Sequence, residues 1–236
     1  MTDTSSLRDA PIEAFIFDID GTIIDSMPYH GRSWPVLLQR YGYGDEHMEL
    51  LRQSAGRTGV ELIRDIFGAD LDEQRARAIA DEKEAIYREM FKPVFREVRG
   101  FTQFARAAKA TGLKVALGTA GNQANIEFAV DGLGLHGFFD ALVGAADVKR
   151  GKPEPDIFLE AARRMDVAPD ACVVFEDAPL GIEAARRAGM RAVALTTTEP
   201  DHVFDRCLHV IRICADYHDA DVGDLLRELS DSRHNP

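Results

Sequence analysis

The sequence predicts an α/β protein: a parallel sheet with helices on both faces, interrupted near its N-terminus by a helical insertion. Three observations support this prediction. An apolar run at residues 12–17 is typical of a buried parallel strand. Helical spacing without a convincing strand pattern then continues to about residue 99. After Gly100, short apolar runs alternate with helical patterns, as expected where helices connect neighbouring parallel strands.

The insertion is predicted to span residues 26–99. Pro28 suits the first turn of a helix, for which Ser26 is a possible cap. A long charged helix with one apolar face is predicted at residues 71–90. Trp34 is interpreted as part of the hydrophobic core of the insertion, with a ligand-binding surface as the alternative. The rest of the chain is predicted to form the sheet and its covering helices: residues 1–25 and 100–236.

The alternating part of the chain contains further apolar runs of strand length. Strands are predicted at residues 114–117, 141–144, 171–175, 191–195 and 209–213. Helices are predicted at residues 101–108, 122–130, 155–165, 179–188 and 222–229. The final six residues, DSRHNP, are predicted to be disordered. Because such strands pair in parallel, their carboxyl ends are expected at one edge of the sheet, where ligands bind in folds of this class.

Length, composition and charge limit the class of protein. The chain has 236 residues, of which 45% are hydrophobic, enough for a sizeable core. Its 28 Lys and Arg residues against 40 Asp and Glu residues give a formal charge of −12. This excess of negative charge disfavours nucleic acid and anionic membrane surfaces as partners. An anionic substrate would therefore depend on a few basic side chains close to the site.

Cysteine usage and hydropathy suggest a compartment. The three cysteines, Cys172, Cys207 and Cys214, show no CxxC spacing and are interpreted as reduced thiols of a cytosolic protein. No apolar run approaches the length of a membrane-spanning segment. We therefore predict a cytoplasmic protein without membrane contacts, and take a monomer as the default oligomeric state.

The first predicted strand ends in a pair of aspartates, Asp18 and Asp20, followed by Gly21 and Thr22. Side chains two residues apart leave a strand on the same side, so both carboxylates can reach one site. Close carboxylates resist joint ionisation unless a cation neutralises them, and Mg²⁺ is the simplest cation with a preference for oxygen ligands. The alternative is an Asx-Gly turn that merely ends the strand.

Two later strand or loop ends carry groups suited to an anion. Thr119 follows the second strand, where its hydroxyl and free backbone N–H groups could form an oxyanion cradle; the alternative is a helix cap. Lys152 lies between Gly151 and Pro153, so its ammonium could be a fixed positive charge for a phosphoryl group. The alternative for Lys152 is a solvated loop lysine.

A third strand end carries two acids. Glu176 and Asp177 directly follow the most apolar strand, at residues 171–175. Acids at this position are costly to bury without a cation or hydrogen-bond donors. Together with Asp18 and Asp20, they favour a metal site over an ordinary loop.

These motifs follow one another along the chain as Asp18-Ile-Asp20-Gly-Thr22, Thr119, Lys152 within Gly-Lys-Pro-Glu-Pro-Asp-Ile-Phe, and Phe175-Glu176-Asp177. In this combination the sequence resembles the haloacid dehalogenase-like superfamily over roughly residues 12–200. The insertion resembles the cap of the branch that contains β-phosphoglucomutase and small sugar-phosphate phosphatases. The resemblance implies a Rossmann-like catalytic core that carries an inserted helical cap domain.

The resemblance also implies roles for the acids at the strand ends. Asp18 would be the nucleophile that forms an aspartyl phosphate, and Asp20 would be the general acid and then the general base. Mg²⁺ would be held by the Asp18 carboxylate, the Asp20 backbone carbonyl and Asp177, with support from Glu176.

Other groups are implied to bind the substrate. Thr119, the Ala120 N–H and Lys152 would hold the non-bridging phosphoryl oxygens. His30 matches a histidine found at this place in the mutase and in many relatives, and Arg57 resembles a cap arginine that holds a substrate phosphate. The alternatives are a helix-surface histidine and a solvated loop arginine.

Several activities of this superfamily remain to be compared. A dehalogenase needs no second acid, so Asp20 disfavours that activity. A phosphonatase needs a cap lysine, and neither Lys83 nor Lys92 has a matching context. β-Phosphoglucomutase has a Ser-Lys pair where this chain has Gly121-Asn122, which weakens the mutase alternative without removing it.

The expected function is Mg²⁺-dependent hydrolysis of a small phosphorylated metabolite, such as fructose 1-phosphate. The alternative enzyme is a β-phosphoglucomutase, which interconverts β-glucose 1-phosphate and glucose 6-phosphate. A catalytically silent, metabolite-binding relative is disfavoured because Asp18, Asp20, Lys152 and Asp177 are all present. Fold alone could not separate these functions, since they depend on the site.

Overall fold

The computed structural model describes residues 11–44, 46–52 and 57–234. Its strands are β1 (Ala14–Phe17), β2 (Lys114–Gly118), β3 (Ala141–Val143), β4 (Cys172–Glu176), β5 (Arg191–Leu195) and β6 (Val210–Cys214). Its α-helices are α1 (Met27–Arg40), α2 (Met48–Arg52), α3 (Gly59–Phe67), α4 (Glu73–Phe91), α5 (Phe101–Ala110), α6 (Gln123–Leu133), α7 (Asp156–Met165), α8 (Pro179–Arg187) and α9 (Ala220–His234).

Within the described residues, the strands form one parallel sheet in the order β3-β2-β1-β4-β5-β6. The predicted α/β architecture is therefore confirmed. β1 lies between β2 and β4, and Phe17 is level with both Leu117 and Phe175. This register brings the carboxyl ends of the three central strands to the same height, so the residues that follow them share one edge of the sheet.

Helices cover both faces of the sheet, as the alternating pattern predicts. On one face, Phe15, Phe17 and Phe175 pack into an aromatic cluster with side chains from α5. On the other face, Ile16 and Val174 pack against small and branched side chains from α7 and α8. A strand buried on both faces must be apolar throughout, which explains the unbroken hydrophobic run of β1.

The inserted cap, helices α1 to α4, has a hydrophobic cluster of its own. Leu37 and Leu38 of α1, Ile63 of α3 and Ile79 of α4 form its centre. Trp34 belongs to this cluster and is only 7% exposed, as the core interpretation expects. The exact limits of the two predicted units, residues 1–25 with 100–236 and residues 26–99, remain predictions, and residues 1–10 lie outside the described part.

The two chain segments that connect the cap to the sheet run side by side. Asp25 N donates to Arg96 O at 3.1 Å, and Val98 N donates to Ile23 O at 3.0 Å. Ile24 and Glu97 form an antiparallel bridge between these hydrogen bonds. The cap therefore leaves and rejoins the rest of the protein at a single paired crossing.

Three local predictions are wrong in detail. The first strand begins at Ala14 instead of residue 12. Ser26 precedes α1 but makes no capping hydrogen bond, because its hydroxyl donates to Asp20. Helix α9 continues to His234, so most of the tail predicted to be disordered is helical. Its polar composition suggested disorder, but residues 231–234 contain neither glycine nor proline, which would interrupt a helix.

No helix among the described residues has both the length and the hydropathy that a bilayer crossing requires. The buried side chains instead serve the sheet and cap clusters.

Candidate active site

The central strand ends place the predicted acids and Thr119 around one point. Asp18 follows β1, and its N–H donates to Phe175 O at 3.0 Å. Thr119 follows β2, and its N–H donates to Val143 O at 3.0 Å. Glu176 ends β4, and Asp177 follows it. Each of these side chains is buried, so their charges interact in a setting of low dielectric.

Lys152 lies beneath this point and joins two of the acids. Its Nζ is 2.6 Å from Asp18 Oδ1 and 2.5 Å from Glu176 Oε1. Burial disfavours its charged form, but the two carboxylates more than offset this and raise the pKa of Lys152 above its usual value. The interpretation of Lys152 as a solvated loop lysine is therefore wrong, since the side chain is 2% exposed.

Asp177 is held by two hydroxyl groups. Thr22 Oγ1 donates to its Oδ1 at 3.2 Å, and the Thr198 hydroxyl donates to its Oδ2. Gly21 has a φ of 79°, and a Cβ on this residue would lie 2.1 Å from Asp177 Oδ2. The glycine of the first motif is therefore needed both for its backbone angle and for the approach of this carboxylate.

Two of the three acids at the strand ends, Asp18 and Asp177, are disfavoured as anions. Burial raises the pKa of Asp18 to about 7, with Glu176 and Asp20 adding to the rise and Lys152 opposing it. Burial, Glu176 and Asp18 raise the pKa of Asp177 well above its usual value. Oxygen atoms of Asp18, Glu176 and Asp177 all lie within 4.8 Å of one another. This all-oxygen, electron-rich set fits a hard divalent cation such as Mg²⁺, which would relieve the repulsion.

Asp20 has a different environment from its neighbours. Its Oδ1 accepts from Ser26 Oγ at 2.7 Å and from Tyr87 OH at 3.2 Å, and lies 2.9 Å from His30 Nε2. Burial alone would raise the pKa of Asp20, but the charge and hydrogen bond of His30 and the Ser26 hydroxyl lower it to about 2. Two carboxyl groups two residues apart are thus driven in opposite directions, which is typical of groups with different catalytic roles.

The cap supplies the groups around His30. Its ring stacks on Tyr87 with 3.7 Å between centroids, and its Nδ1 lies 2.6 Å from Lys83 Nζ. Lys83 is itself buried, with its ammonium 5.1 Å from the centre of the Trp34 ring. His30 therefore connects a cap lysine to the second acid of the motif, and is not a solvent-facing helix residue.

A cavity of about 240 Å³ lies between the sheet edge and the cap. Most of the predicted site residues line it: Asp18, Asp20, His30, Arg57, Thr119, Ala120, Glu176 and Asp177. Lys152 is not among them, because it lies below Asp18 and Glu176. Arg57 is at the wall, where its Nη1 pairs with Asp65 Oδ2 at 2.8 Å.

Several cavity residues were missed by the sequence analysis. Thr198 follows β5 at the same edge, so the strand-end argument could have found it. Glu84 and Asn125 lie on helices and reach the cavity only because α4 lies over α6. Tyr87 of α4, which donates to Asp20 without lining the cavity, was missed as well. No local pattern in the sequence signals such a contact.

Comparison with known proteins gives a consistent result. A family profile described as haloacid dehalogenase-like hydrolase matches residues 12–189. Fructose-1-phosphate phosphatase YqaB of Escherichia coli (strain K12) is 41% identical over 75% of this chain and 93% of its own length. β-Phosphoglucomutase of Bacillus subtilis (strain 168) is 29% identical over 80% of this chain and 85% of its own length. The crystal structure of a hydrolase from Pseudomonas syringae superposes with a TM-score of 0.78 at 25% identity, covering 94% of this chain and 99% of that one.

Proposed function

This chain belongs to the haloacid dehalogenase-like hydrolases, and on that premise we propose that it is a Mg²⁺-dependent phosphatase acting on a small sugar phosphate such as fructose 1-phosphate. One observation carries the proposal. The Asp18 carboxylate faces the cavity with a buried ammonium at 2.6 Å behind it, while Asp20, two residues later, is paired with His30. A nucleophile and a proton-transfer group thus face the same space.

The reaction proceeds by two displacements at phosphorus. An Asp18 oxygen attacks the phosphorus atom, the bond to the sugar oxygen breaks, and the leaving alkoxide takes a proton from the Asp20–His30 pair. Water then attacks the aspartyl phosphate, gives a proton to Asp20, and inorganic phosphate leaves. Asp20 Oδ1 lies 2.9 Å from His30 Nε2, so the two side chains are within hydrogen-bond distance and can share the transferred proton.

The remaining groups stabilise the negative charge of the phosphoryl oxygens. We assign this role to Thr119 Oγ1 and the Ala120 N–H at the cavity wall, with the Lys152 ammonium contributing its charge from behind Asp18. Asp18, Asp177 and the Asp20 carbonyl would hold Mg²⁺, with Glu176 behind them. The bound ion would supply charge neutralisation between the nucleophile and the phosphoryl oxygens.

The mutase alternative would need a second phosphate site in the cavity. At the loop after β2, the side chain of Asn122 is bonded to Asp81 of the cap at 2.8 Å, and Gly121 offers no side chain. The guanidinium of Arg57 is already paired with Asp65. These features favour hydrolysis over transfer of the phosphoryl group to a hydroxyl group of a second-phosphate-bearing sugar.

One paired assay separates the two activities. Purified protein with Mg²⁺ is given a panel of sugar phosphates, including fructose 1-phosphate, and phosphate release is followed. In parallel, β-glucose 1-phosphate with a bisphosphate primer is followed for glucose 6-phosphate. Phosphate release without isomerisation supports the proposal. Isomerisation well above phosphate release replaces the phosphatase with the mutase. A protein that shows neither activity refutes both functions.

Replacement of Asp20 tests its role in proton transfer. Asp20→Asn keeps the size of the side chain but cannot carry the proton, so we expect hydrolysis of fructose 1-phosphate to fall about 100- to 10,000-fold. The first burst of nitrophenolate from p-nitrophenyl phosphate should persist, because nitrophenolate leaves without a proton, while later turnover slows because the attacking water has lost its proton acceptor. Rapid mixing measures the burst, and steady-state kcat measures the turnover of both substrates. Loss of the burst would contradict the assignment.

Metal binding should depend on pH in a defined direction. With its pKa near 7 in the metal-free protein, Asp18 binds a proton at pH 6 and loses it at pH 8. Protons therefore compete with Mg²⁺ more strongly at the lower pH. We expect 5 mM Mg²⁺ to raise the thermal unfolding midpoint more at pH 8 than at pH 6, and Asp177→Asn to reduce the shift at both. A larger shift at pH 6 would contradict this site.

A further inference from the structure

Two cavity residues that the proposed chemistry does not use face each other across the boundary between cap and sheet. Glu84 lies on α4 of the cap, and Asn125 lies in the first turn of α6, which follows the Thr119 loop. Asn125 Nδ2 donates to Glu84 Oε2 at 2.7 Å. Both residues line the cavity, and Asn125 is 2% exposed. We call this contact the Glu84–Asn125 pair.

The orientation of the Asn125 amide is fixed by its partners. Arg88 Nη1 donates to its Oδ1 at 2.5 Å, so the amide nitrogen must point to Glu84. An amide carries two hydrogens, and Glu84 accepts one of them. Gly121 makes room for this arrangement, since a Cβ there would lie 3.3 Å from Thr119 Oγ1 and 3.5 Å from Asn125 Nδ2.

Glu84 is held as a carboxylate inside the cavity. Burial opposes its charge, but Lys83, His30 and the Asn125 amide lower its pKa below the usual value. Lys83 Nζ lies 3.0 Å from Glu84 Oε1. A carboxylate has about four lone-pair positions, and the contacts with Lys83 and Asn125 use two of them. The pair thus offers both acceptor and donor capacity to a ligand.

The charges around the pair are unsuited to a second phosphate. The Lys83 ammonium is already paired with Glu84, and the Arg57 guanidinium is paired with Asp65. The Glu84 carboxylate itself would repel an added anion. Apolar side chains of Trp34, Leu51 and other cap residues line the rest of the cavity and offer a surface for the C–H groups of a sugar.

We propose that the Glu84–Asn125 pair binds hydroxyl groups of the leaving alcohol, and selects an uncharged polyhydroxylated leaving group over an alkyl chain or a second phosphate. This inference rests on the proposed phosphatase function and names the substrate class of the same site. Glu84 belongs to the cap, and Asn125 belongs to the sheet unit. Substrate hydroxyl groups that bind both residues therefore favour the arrangement in which the cap and the sheet unit surround the substrate.

The experiment compares three substrates whose leaving groups are all alkoxides. Fructose 1-phosphate has hydroxyls and one phosphate, n-butyl phosphate has no hydroxyls, and fructose 1,6-bisphosphate adds a second phosphate. Wild type is compared with Glu84→Gln, which keeps the shape and removes the charge. Glu82→Gln is the matched control, since Glu82 lies on the same helix but pairs with Arg40 at 2.9 Å outside the cavity.

For Glu84→Gln we expect the ratio of kcat/KM for fructose 1-phosphate to that for n-butyl phosphate to fall about tenfold, mainly through KM. The ratio of bisphosphate to monophosphate turnover should rise by a similar factor, and Glu82→Gln should change neither ratio. Equal losses on all substrates would overturn the inference, because Glu84 would then act on the chemistry through Lys83 and His30. Unchanged ratios would overturn it as well.

Three further outcomes have distinct meanings. If Glu84→Gln fails to fold, as judged by its thermal unfolding curve, Asn125→Ala tests the other member with the same substrates and the same expected change. Wild type that hydrolyses butyl phosphate as well as fructose 1-phosphate would overturn this inference while leaving a phosphatase. Wild type that hydrolyses none of the three would refute the proposed function itself.

Discussion

Asp18→Asn is expected to reduce phosphate release from every substrate by at least about 10,000-fold, because it removes the attacking oxygen while leaving the cavity in place. Asparagine has nearly the same shape, and the backbone bond from residue 18 to Phe175 O does not involve the side chain. Residual phosphate release in a long incubation with purified variant and Mg²⁺ measures the effect.

The loss of activity must be distinguished from unfolding of the variant, and any residual activity must be distinguished from that of a contaminating phosphatase. Asp131→Asn is a matched control on the exposed surface of α6, where we expect full activity. The thermal unfolding midpoint of Asp18→Asn should stay close to that of wild type, because the buried wild-type carboxylate is itself disfavoured, as its raised pKa shows. Retention of more than about one hundredth of the wild-type kcat would exclude Asp18 as nucleophile.

Lys152→Met is expected to produce the largest loss of stability, about 3–5 kcal/mol in the free energy of unfolding. The ammonium is the buried cation between Asp18 Oδ1 and Glu176 Oε1, and methionine fills similar volume without charge. Its removal leaves buried carboxylates without compensation. Urea unfolding at pH 8 in the absence of Mg²⁺ measures the change.

The change of this stability loss with pH has a sign that follows from the buried Asp18 carboxylate. The folded-state pKa of Asp18 rises further without Lys152, so the variant should be less destabilised at pH 6, where Asp18 binds a proton, than at pH 8. Mg²⁺ should restore part of the loss. Lys149→Met, three residues earlier on the exposed loop, is the control and should be neutral. A Lys152→Met protein as stable as wild type at both pH values would contradict the role of the buried ion pair.

The sheet side of the site could be predicted from sequence because it depends on local order. Asp18, Thr119 and Asp177 each follow an apolar strand, and parallel strands in a regular register bring such residues to one edge. The general rule does not require knowledge of how distant helices pack. It also explains why Thr198, which follows another strand, was within reach of the same argument and was overlooked.

The cap side could not be predicted in the same way. The contacts of Asp20 with Tyr87 and of Glu84 with Asn125 join residues 67 and 41 positions apart. They depend on the position of α4 over the sheet unit, which is set by the packing of whole helices. His30 and Arg57 were identified only through the family resemblance, and their functional roles remain predictions.

The paired segments that connect the cap to the sheet unit allow the cap to be exchanged for another insert. The chain departs at Ile23 to Asp25 and returns at Arg96 to Val98, and these segments are already hydrogen-bonded to each other. A foreign insert with similarly adjacent ends can therefore be spliced in without altering the strand order. Exchange of the insert at this crossing would replace Glu84 and His30 of the cap and keep Asp18, Thr119 and Asp177 of the sheet unit, so a chimaera would have to supply its own partner for Asp20.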